Sequence, residues 1–506
     1  MNLGKLHHQI HTKISMMKTI QFLSLFVISG FAFSIEKPNV LLIMVDDMNT
    51  MLSTYGHKQV KTPNLEKLKK EGVQFNKAYV QYPQCTASRT SMLTGLYPDQ
   101  TGVTQLRQHF RNFVPEAKTL PQIFKEKGYY TARVGKIFHY DVPREVGTDG
   151  MDDSISWVEK FNPIGIDKIR HDKTTWLGPR KPNDKWGGGA ISWMRVGGSS
   201  DEHTDGIATQ KALELLKAKH SEQTEQPFFL AVGYFRPHVP FAAPEKFFDL
   251  YPREKIDFIQ SNSRDREDIP IAALSDDHHT LNITDSQRKD VYQAYYASIS
   301  FIDEEIGKLL NQLELLNLKE TTIVIFVSDH GFLMGQHGLW QKKNLFEESV
   351  RTPLIISSPF HDNDVNESNA IIELVDLFPT ILDLTGIDVP NYLSGKSFAS
   401  IIDHPVEKFR LSALSQTDSK AGKTRPGFPK VKGYSIRTER FRYTEWDQGN
   451  QGAELYDHAN DSEEIDNLIF NPDYEREKIK LKAELHKRIK DAQQKISLNK
   501  SLSTEI

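Results

Sequence analysis

The sequence predicts an α/β protein with a large, mostly parallel sheet flanked by helices, followed by a smaller C-terminal α+β subdomain with an antiparallel sheet. Three observations carry that expectation. Short, nearly continuous apolar runs at residues 39–45 (NVLLIMV), 227–234 (PFFLAVGY) and 322–328 (TIVIFVS) read as strands buried on both faces, and helical patterns separate them. Two of these runs lead directly into Asp46-Asp47 and Asp329-His330, at the carboxyl ends of strands, where open α/β sheets gather ligands. Beyond about residue 405 the pattern changes to closely spaced strand pairs and one charged amphipathic helix.

Taken in order, the chain begins with Lys13 and Lys18 ahead of an apolar run over residues 20–33, and Ala32-Phe33-Ser34 offers a small-x-small cleavage site. Residues 1–34 therefore read as a signal peptide, and an exported protein, periplasmic or secreted, is expected. The run is short for a membrane span, so none is expected in the mature chain. Met16 or Met17 would begin a more ordinary signal. After the first buried strand, one residue of Asp46-Asp47 could be a helix N-cap, but two adjacent carboxylates ask for a further reason. Thr62-Pro63-Asn64 opens a helix through about Lys70.

Cys85 is the only cysteine in 506 residues. Hydroxyl residues follow it, Arg89 sits four positions on, and Gly95 can stop a short helix. A lone cysteine is ordinarily a small buried hydrophobe. At a helix start, though, it would face free backbone N–H groups and a positive dipole end, which suit an anion or a reacting oxygen. Residues 120–127 read as a helix ended by Gly128, residues 129–134 as a strand, and Lys136 and His139 could then face one site from a turn. Residues 141–205, with Trp186-Gly187-Gly188-Gly189, read as a long excursion of loops over the sheet edge. A helix is expected over 208–220. After the next buried strand, Pro237 and Pro240 bracket His238, which is either a positioned side chain or an ordinary surface histidine.

The clearest helical periodicity covers residues 291–316, with Ile299, Ile302, Ile306, Leu309, Leu310 and Leu313 on one face. The 322–328 run and Asp329-His330 come next, then a loop carrying Lys342 and Lys343, a strand over 350–356 and an apolar helix over 375–384. Residues 433–437 and 441–446 look like paired strands, and 474–496 like an amphipathic helix. The expected domains are 1–34, 35–405 (catalytic) and 406–506 (C-terminal subdomain). A net charge of −4 gives no reason to expect nucleic acid. An exported chain with one cysteine makes no internal disulfide, and the odd thiol asks for a special role.

Cys85-Thr86-Ala87-Ser88-Arg89, with Leu93-Thr94-Gly95 behind it, resembles the signature of type I sulfatases, with Ala87 where the commoner form has Pro. Motifs at 39–47, 85–95, 134–139, 236–241, 329–342 and 350–354 follow one another as in the alkaline phosphatase-like sulfatases, and within them most closely the iduronate-2-sulfatase-like members, which carry His where this chain has His330 and many other relatives have Asn. The resemblance implies that fold and a sulfuric ester hydrolase. It implies that a maturation enzyme converts Cys85 to formylglycine (3-oxoalanine), whose hydrate attacks sulfur with one hydroxyl and releases sulfate through the other. Asp46, Asp47, Asp329, His330 and the modified Cys85 would ligate one divalent ion, Ca2+. Arg89 would hold the hydrate, Lys136 and Lys342 the sulfate oxygens. His139 would take the proton on release, and His238 would protonate the leaving sugar oxygen.

The implied substrate is a sulfated oligo- or polysaccharide, with a uronic-acid 2-O-sulfate of a glycosaminoglycan or a marine glycan such as ulvan as the finer expectation. Arg107, His109 and Arg111 could meet a sugar carboxylate, or form a solvated basic loop. A phosphodiester or phosphonate hydrolase of the same superfamily and an inactive glycan-binding homologue are the alternatives. The intact Cys85 and acidic cage weigh against the latter.

Overall fold

The computed structural model describes residues 37–178, 189–222, 226–260, 264–278, 280, 282–361 and 364–494. The expected signal peptide and Trp186-Gly187-Gly188 lie outside the described residues. The strands of the main sheet are β1 (Asn39–Val45), β2 (Val73–Tyr79), β3 (Tyr130–Gly135), β4 (Glu159–Phe161), β5 (Phe228–Gly233), β6 (Thr322–Ser328), β7 (Leu354–Ser357) and β8 (Glu367–Glu373). Side by side their order is β8-β2-β7-β6-β1-β5-β3-β4. Every pairing is parallel except the two made by β7.

Alternate residues of the apolar runs enter opposite cores. Val40, Leu42 and Met44 join one hydrophobic cluster with Ile323, Ile325 and Ala231, while Leu41, Ile43 and Val45 join another with Val324, Phe326 and Leu230. Both faces are covered, which is why these strands show no polar alternation. The parallel run β6-β1-β5-β3 has one further consequence. Asp329-His330, Asp46-Asp47, Arg236–His238 and Lys136–His139 each follow the carboxyl end of a neighbouring strand, so the topology brings all four to one edge.

The main helices are α1 (Pro63–Lys70), α2 (Cys85–Thr94), α3 (Leu120–Glu126), α4 (Thr204–Ser221), α5 (Asp285–Leu315), α6 (Leu377–Leu384) and α7 (Glu475–Ala492). α5 begins before its periodic face does, because Thr284 accepts from the Gln287 N–H and the Gln287 side chain accepts in return from the Thr284 N–H at 2.9 Å. The expected loop excursion contains sheet pieces: β4 closes one edge of the main sheet, and Ser192–Val196 pairs with Thr175–Trp176 and Phe241–Pro244. β2 and β8 carry polar residues within their strands and gave no clear apolar signal.

β9 (Ser412–Asp418), β10 (Lys432–Thr438), β11 (Phe441–Trp446) and β12 (Ala453–Asp457) form an antiparallel meander. α7 covers it, packing Leu481, Leu485 and Ile489 with Leu414, Ile436 and Tyr443. The described residues from 38 to 494 pack as one compact unit. Where the two sheets meet lies a buried ionic seam. Glu347 accepts from Tyr79 Oη at 2.9 Å, from Arg437 Nε at 3.2 Å and from Arg442. Glu464 accepts from Arg442, from His458 Nε2 at 2.8 Å and from the Glu347 N–H at 2.9 Å. Among the described residues no helix is long and apolar enough to cross a membrane.

Candidate active site

Cys85 is the first residue of α2, directly after the extended Gln84, and Gly95 ends the helix in the left-handed region (φ 68°) with its N–H on Ser91 O at 2.9 Å. All ten residues of α2 are buried despite five Ser and Thr among them. Three of the hydroxyls donate to carbonyls inside the protein, Thr86 Oγ1 to Leu106 O at 2.7 Å, Thr94 Oγ1 to Thr90 O at 2.7 Å, and Ser88 Oγ to Asp329 O, while Ser91 Oγ is buried with no partner among the described residues. The last of these bonds ties the cysteine helix to the end of β6.

Adjacent side chains in a strand point apart. Asp47 escapes that rule because its backbone is left-handed (φ 65°), a conformation Asp tolerates better than most residues. Asp46 Oδ2 accepts from Lys136 Nζ at 2.5 Å and Oδ1 from Arg89 Nη2 at 3.3 Å. Asp47 Oδ1 accepts from Lys342, while Asp47 Oδ2 is buried with no hydrogen-bond partner. Burial alone would raise the Asp46 carboxyl; Lys136, His238, Arg89 and Lys342 outweigh it and hold the group well below the usual range.

His330 Nδ1 lies 2.8 Å from Gly331 O. A carbonyl only accepts, so Nδ1 carries the proton and Nε2 presents its lone pair. That lone pair faces Cys85 Sγ at 3.3 Å, Asp47 Oδ1 at 3.4 Å and Asp329 Oδ2 at 3.8 Å. Acceptors converging in this way fit a cation. One donor atom each from Asp46, Asp47, Cys85 and His330 all lie within 4.8 Å of one another. The carboxylates favour a hard ion of the calcium type. Asp329 stands beside this group with both oxygens engaged, Oδ1 by the Asp47 N–H at 3.2 Å and Oδ2 by Arg89 Nε at 2.8 Å.

Arg89 spends its donors on the framework. Besides Asp46 and Asp329, it reaches Lys136 O at 2.7 Å, Ile137 O at 2.9 Å and Val45 O at 3.3 Å, so it clamps the ends of β1, β3 and β6 together. Lys136 is fully buried behind Asp46, with Tyr140 O as a second acceptor at 3.2 Å. Its backbone crosses β5 where a Cβ on Gly233 would lie 2.0 Å from Lys136 O, so only glycine fits.

A cavity of about 570 Å³ opens over the cluster, and Asp47, Cys85, His139, His238 and Lys342 line it. Lys342 Nζ lies 3.4 Å from Cys85 Sγ. Burial and then Asp46 push the Cys85 thiol well above its ordinary range, so the unmodified side chain is no activated thiolate. His238 donates from Nδ1 to Val239 O at 2.7 Å, leaving Nε2 3.7 Å from Asp47 Oδ2. Its loop is anchored: Asp205 accepts from the Phe235 and Arg236 N–H groups at 2.8 and 3.0 Å, and Arg236 pairs with Asp167 at 2.7 Å. Burial, followed by Lys342, holds the His238 imidazole well below its ordinary range. His139 Nε2 faces Asp141 Oδ1 at 3.3 Å, its Nδ1 has no partner among the described residues, and burial lowers it to about 4.

The structure thus gathers all ten sequence-derived site residues around one cavity or directly behind it. It separates the trio Arg107, His109 and Arg111. Arg107 lines the cavity and pairs with Asp141 at 2.8 Å. Arg111 turns inward to Asp153 at 2.8 Å and Ala117 O at 2.7 Å, and His109 Nε2 meets Asp152 O at 3.1 Å, so both are structural. Asp141, Asp167, Asp205 and the lysines Lys420 and Lys423 went unnoticed in the sequence. Asp141, two residues from His139, carried a local signal; the others come from distant segments.

The sulfatase family profile matches residues 38–387, and the profile described as N-sulphoglucosamine sulphohydrolase, C-terminal, matches residues 335–495. The chain is 31% identical to iduronate 2-sulfatase of Homo sapiens over 477 residues, 81% of this chain and 84% of that one. It is 29% identical to an ulvan-active sulfatase of Formosa agariphila over 469 residues, 90% of this chain and 81% of that one. The solved structure of a 2-O GAG sulfatase superposes with a TM-score of 0.67 at 21% identity, covering 91% of this chain and 95% of that one. With the profile spanning more than two thirds of its length and a curated relative above 30% identity across most of it, the chain belongs to the sulfatase family and is a sulfuric ester hydrolase.

Proposed function

We propose that this sulfatase removes the 2-O-sulfate of a uronic acid in a glycosaminoglycan or a related marine polysaccharide such as ulvan. It does so with Cys85 matured to formylglycine and one calcium ion. The observation that carries the reading is the setting of the sole cysteine: at a helix start, 3.3 Å from the His330 lone pair and 3.4 Å from the Lys342 ammonium, on the wall of a saccharide-sized cavity. The similarity to iduronate 2-sulfatase and to an ulvan-active sulfatase supports the substrate class.

Asp46, Asp47, Asp329 and His330 would hold the ion, together with an oxygen at position 85. A bound calcium ion supplies positive charge that polarises the sulfate group. A hydrated formylglycine supplies a hydroxyl nucleophile and a second hydroxyl whose deprotonation frees the sulfate. Lys342 meets the sulfate oxygens from the cavity wall, and Lys136 acts through Asp46, which it keeps ionised. Arg89 fixes the strand ends that carry these groups. His139 accepts a proton at Nδ1, the nitrogen that Asp141 leaves free. His238 delivers a proton from Nε2 to the leaving oxygen. Burial and Lys342 oppose that proton in the free enzyme, and the negative charge of a bound sulfate ester favours it. Export, to the periplasm or beyond, agrees with the apolar run over residues 20–33.

The test is a panel of defined sulfated oligosaccharides given to protein whose aldehyde at position 85 has been verified by peptide mass spectrometry. Sulfate release from a 2-O-sulfated uronate, and none from its 6-O-sulfated hexosamine counterpart, is the expected result. Release only from other positions overturns the substrate, and preferential hydrolysis of phosphonate or phosphate diesters overturns the reaction class.

A further inference from the structure

Lys342 and Lys343 are adjacent, and in a regular strand their side chains would point to opposite faces. Left-handed backbone at Gln341 (φ 74°) and Lys343 (φ 73°) breaks that alternation, and both side chains line the cavity. Lys342 turns to Asp47 and Cys85. Lys343 meets a separate group of cations: Lys420 and Lys423 line the same cavity from the segment that follows β9. Lys423 pairs with Asp277 at 3.1 Å. Lys343 and Lys420 form no ion pair with a carboxylate among the described residues. The nearest neutral partner of Lys343 is Gln84, whose amide, with its oxygen turned to the lysine, accepts from Nζ at 2.6 Å and donates to Thr104 O at 2.9 Å.

Two half-buried ammonium groups facing one another with no carboxylate paired to either are unfavourable by both desolvation and repulsion, and Asp418 near Lys420 offsets this only in part. Burial, and then Lys420, Lys342 and Lys423, push Lys343 down to about 7, and burial and Lys423 lower Lys420 against the pull of Asp418. An anion placed between them would relieve both costs. Trp176, Phe332 and Trp340 also line the cavity and give it an aromatic wall.

We propose that Lys343 and Lys420 form a second anion subsite beside the sulfate position. It takes a further acidic group of the same saccharide, either a carboxylate or a second sulfate ester. The idea deepens the sulfatase reading and rests on it for the placement of the first anion. Lys342 holds the sulfate that is cleaved; Lys343 and Lys420 hold the charge that is kept, and so select doubly anionic substrates over singly anionic ones.

Calorimetric titration of the full-length Cys85→Ala protein, which does not turn substrate over, tests it with three disaccharide probes. One carries a single sulfate, one a sulfate and a carboxylate, and one two sulfates. At least tenfold tighter binding of one doubly charged probe is expected, and the probe that gains identifies the second group. Lys343→Gln and Lys420→Gln should each erase that preference, and Lys420→Arg should restore it. Lys420 is only half-buried, so its variants carry the test should Lys343→Gln fail to fold. Equal affinity for all three probes, or a preference that survives both Gln substitutions, overturns the proposal. Turnover of an aryl sulfate by matured wild-type enzyme reports separately on the sulfatase reading. Its loss with the binding preference intact removes that reading alone.

Discussion

The seam between the two sheets and the cluster around Cys85 are built from the same materials. Each buries carboxylates, a histidine and several cations, and each brings three or more metal-ligating atoms within 4.8 Å. At the seam every carboxylate oxygen of Glu347 and Glu464 has a donor, and the Arg442 guanidinium spans both acids. At Cys85 the cations are mostly lysines, Asp47 Oδ2 has no partner, and the His330 and His238 lone pairs both point toward acids. A forked, permanently charged guanidinium finishes a network and leaves nothing for a ligand. Point-charge ammoniums around unsatisfied acceptors leave room for an ion and a substrate. Composition alone would have ranked the two clusters together; the count of satisfied oxygens separates them.

The sharpest way to break this contrast is to delete one residue from each cluster. Cys85→Ala should abolish turnover, by at least about 10⁴-fold, with little change in melting temperature. Glu464→Gln should leave the turnover of folded molecules near wild type but cost about 3–5 kcal/mol of stability, read by denaturant titration. Turnover surviving in Cys85→Ala, or a loss confined to chemistry in Glu464→Gln, would invert the assignment of the two clusters.

The next effect concerns the ion. Calcium at about 100-fold above its Kd should raise stability by about 2.7 kcal/mol. Asp47→Asn should remove that calcium-dependent shift in melting temperature, and Glu464→Gln should keep it. A shift lost in Glu464→Gln and kept in Asp47→Asn would move the metal site to the seam.

Third comes His238. A positioned acid contributes about 10²–10⁴-fold when the leaving group is a sugar alkoxide and far less when it is a phenoxide. His238→Ala should therefore lose much more activity on a sulfated sugar than on an aryl sulfate. Similar losses on both would leave His238 as a binding residue only.

The smallest effect is a pH dependence. His139 falls to about 4 in the folded protein, below its unfolded value, so it stabilises the fold fully above pH 6.5 and loses that contribution as pH falls through about 4. His139→Gln should flatten the stability profile across that window by about 1–3 kcal/mol. An unchanged acid limb would mean that His139 reaches solvent more freely than its burial implies.

Much of the site was legible because parallel sheets place information at strand ends. A run such as TIVIFVS declares a buried strand, and whatever follows it, here Asp329-His330, is delivered to the ligand edge. Cys85 was legible as an isolated residue type in a helix-start pattern. Lys420 and Lys423 were not, since a lysine in a polar stretch between two strands looks the same whether it faces solvent or a cavity that begins more than 300 residues earlier at Asp47. Arg107 and Arg111 make the same point at short range. Their types and spacing suit one binding loop, yet a 3-10 turn over Phe110–Asn112 turns the half-buried Arg111 to Asp153. β2 and β8 escaped notice because Gln74, Asn76 and Asn369 interrupt the apolar pattern; Gln74 and Asn76 bond to one another, and Asn76 bonds across to Asn369.

If Cys85 matures to formylglycine as proposed, burial of every residue of α2 would turn that maturation into a race. A modifying enzyme would find no access to Cys85 once the helix has docked and Arg89 has closed over three strand ends. The fraction of molecules carrying the aldehyde would then be decided by two rates, modification and folding, during the time the segment is still exposed. After that the fraction would be frozen for the lifetime of the fold. Slower synthesis, a lower temperature or a longer wait at the export machinery would raise the specific activity of a preparation without altering a single residue, and no later treatment of the folded protein would recover the molecules that folded first.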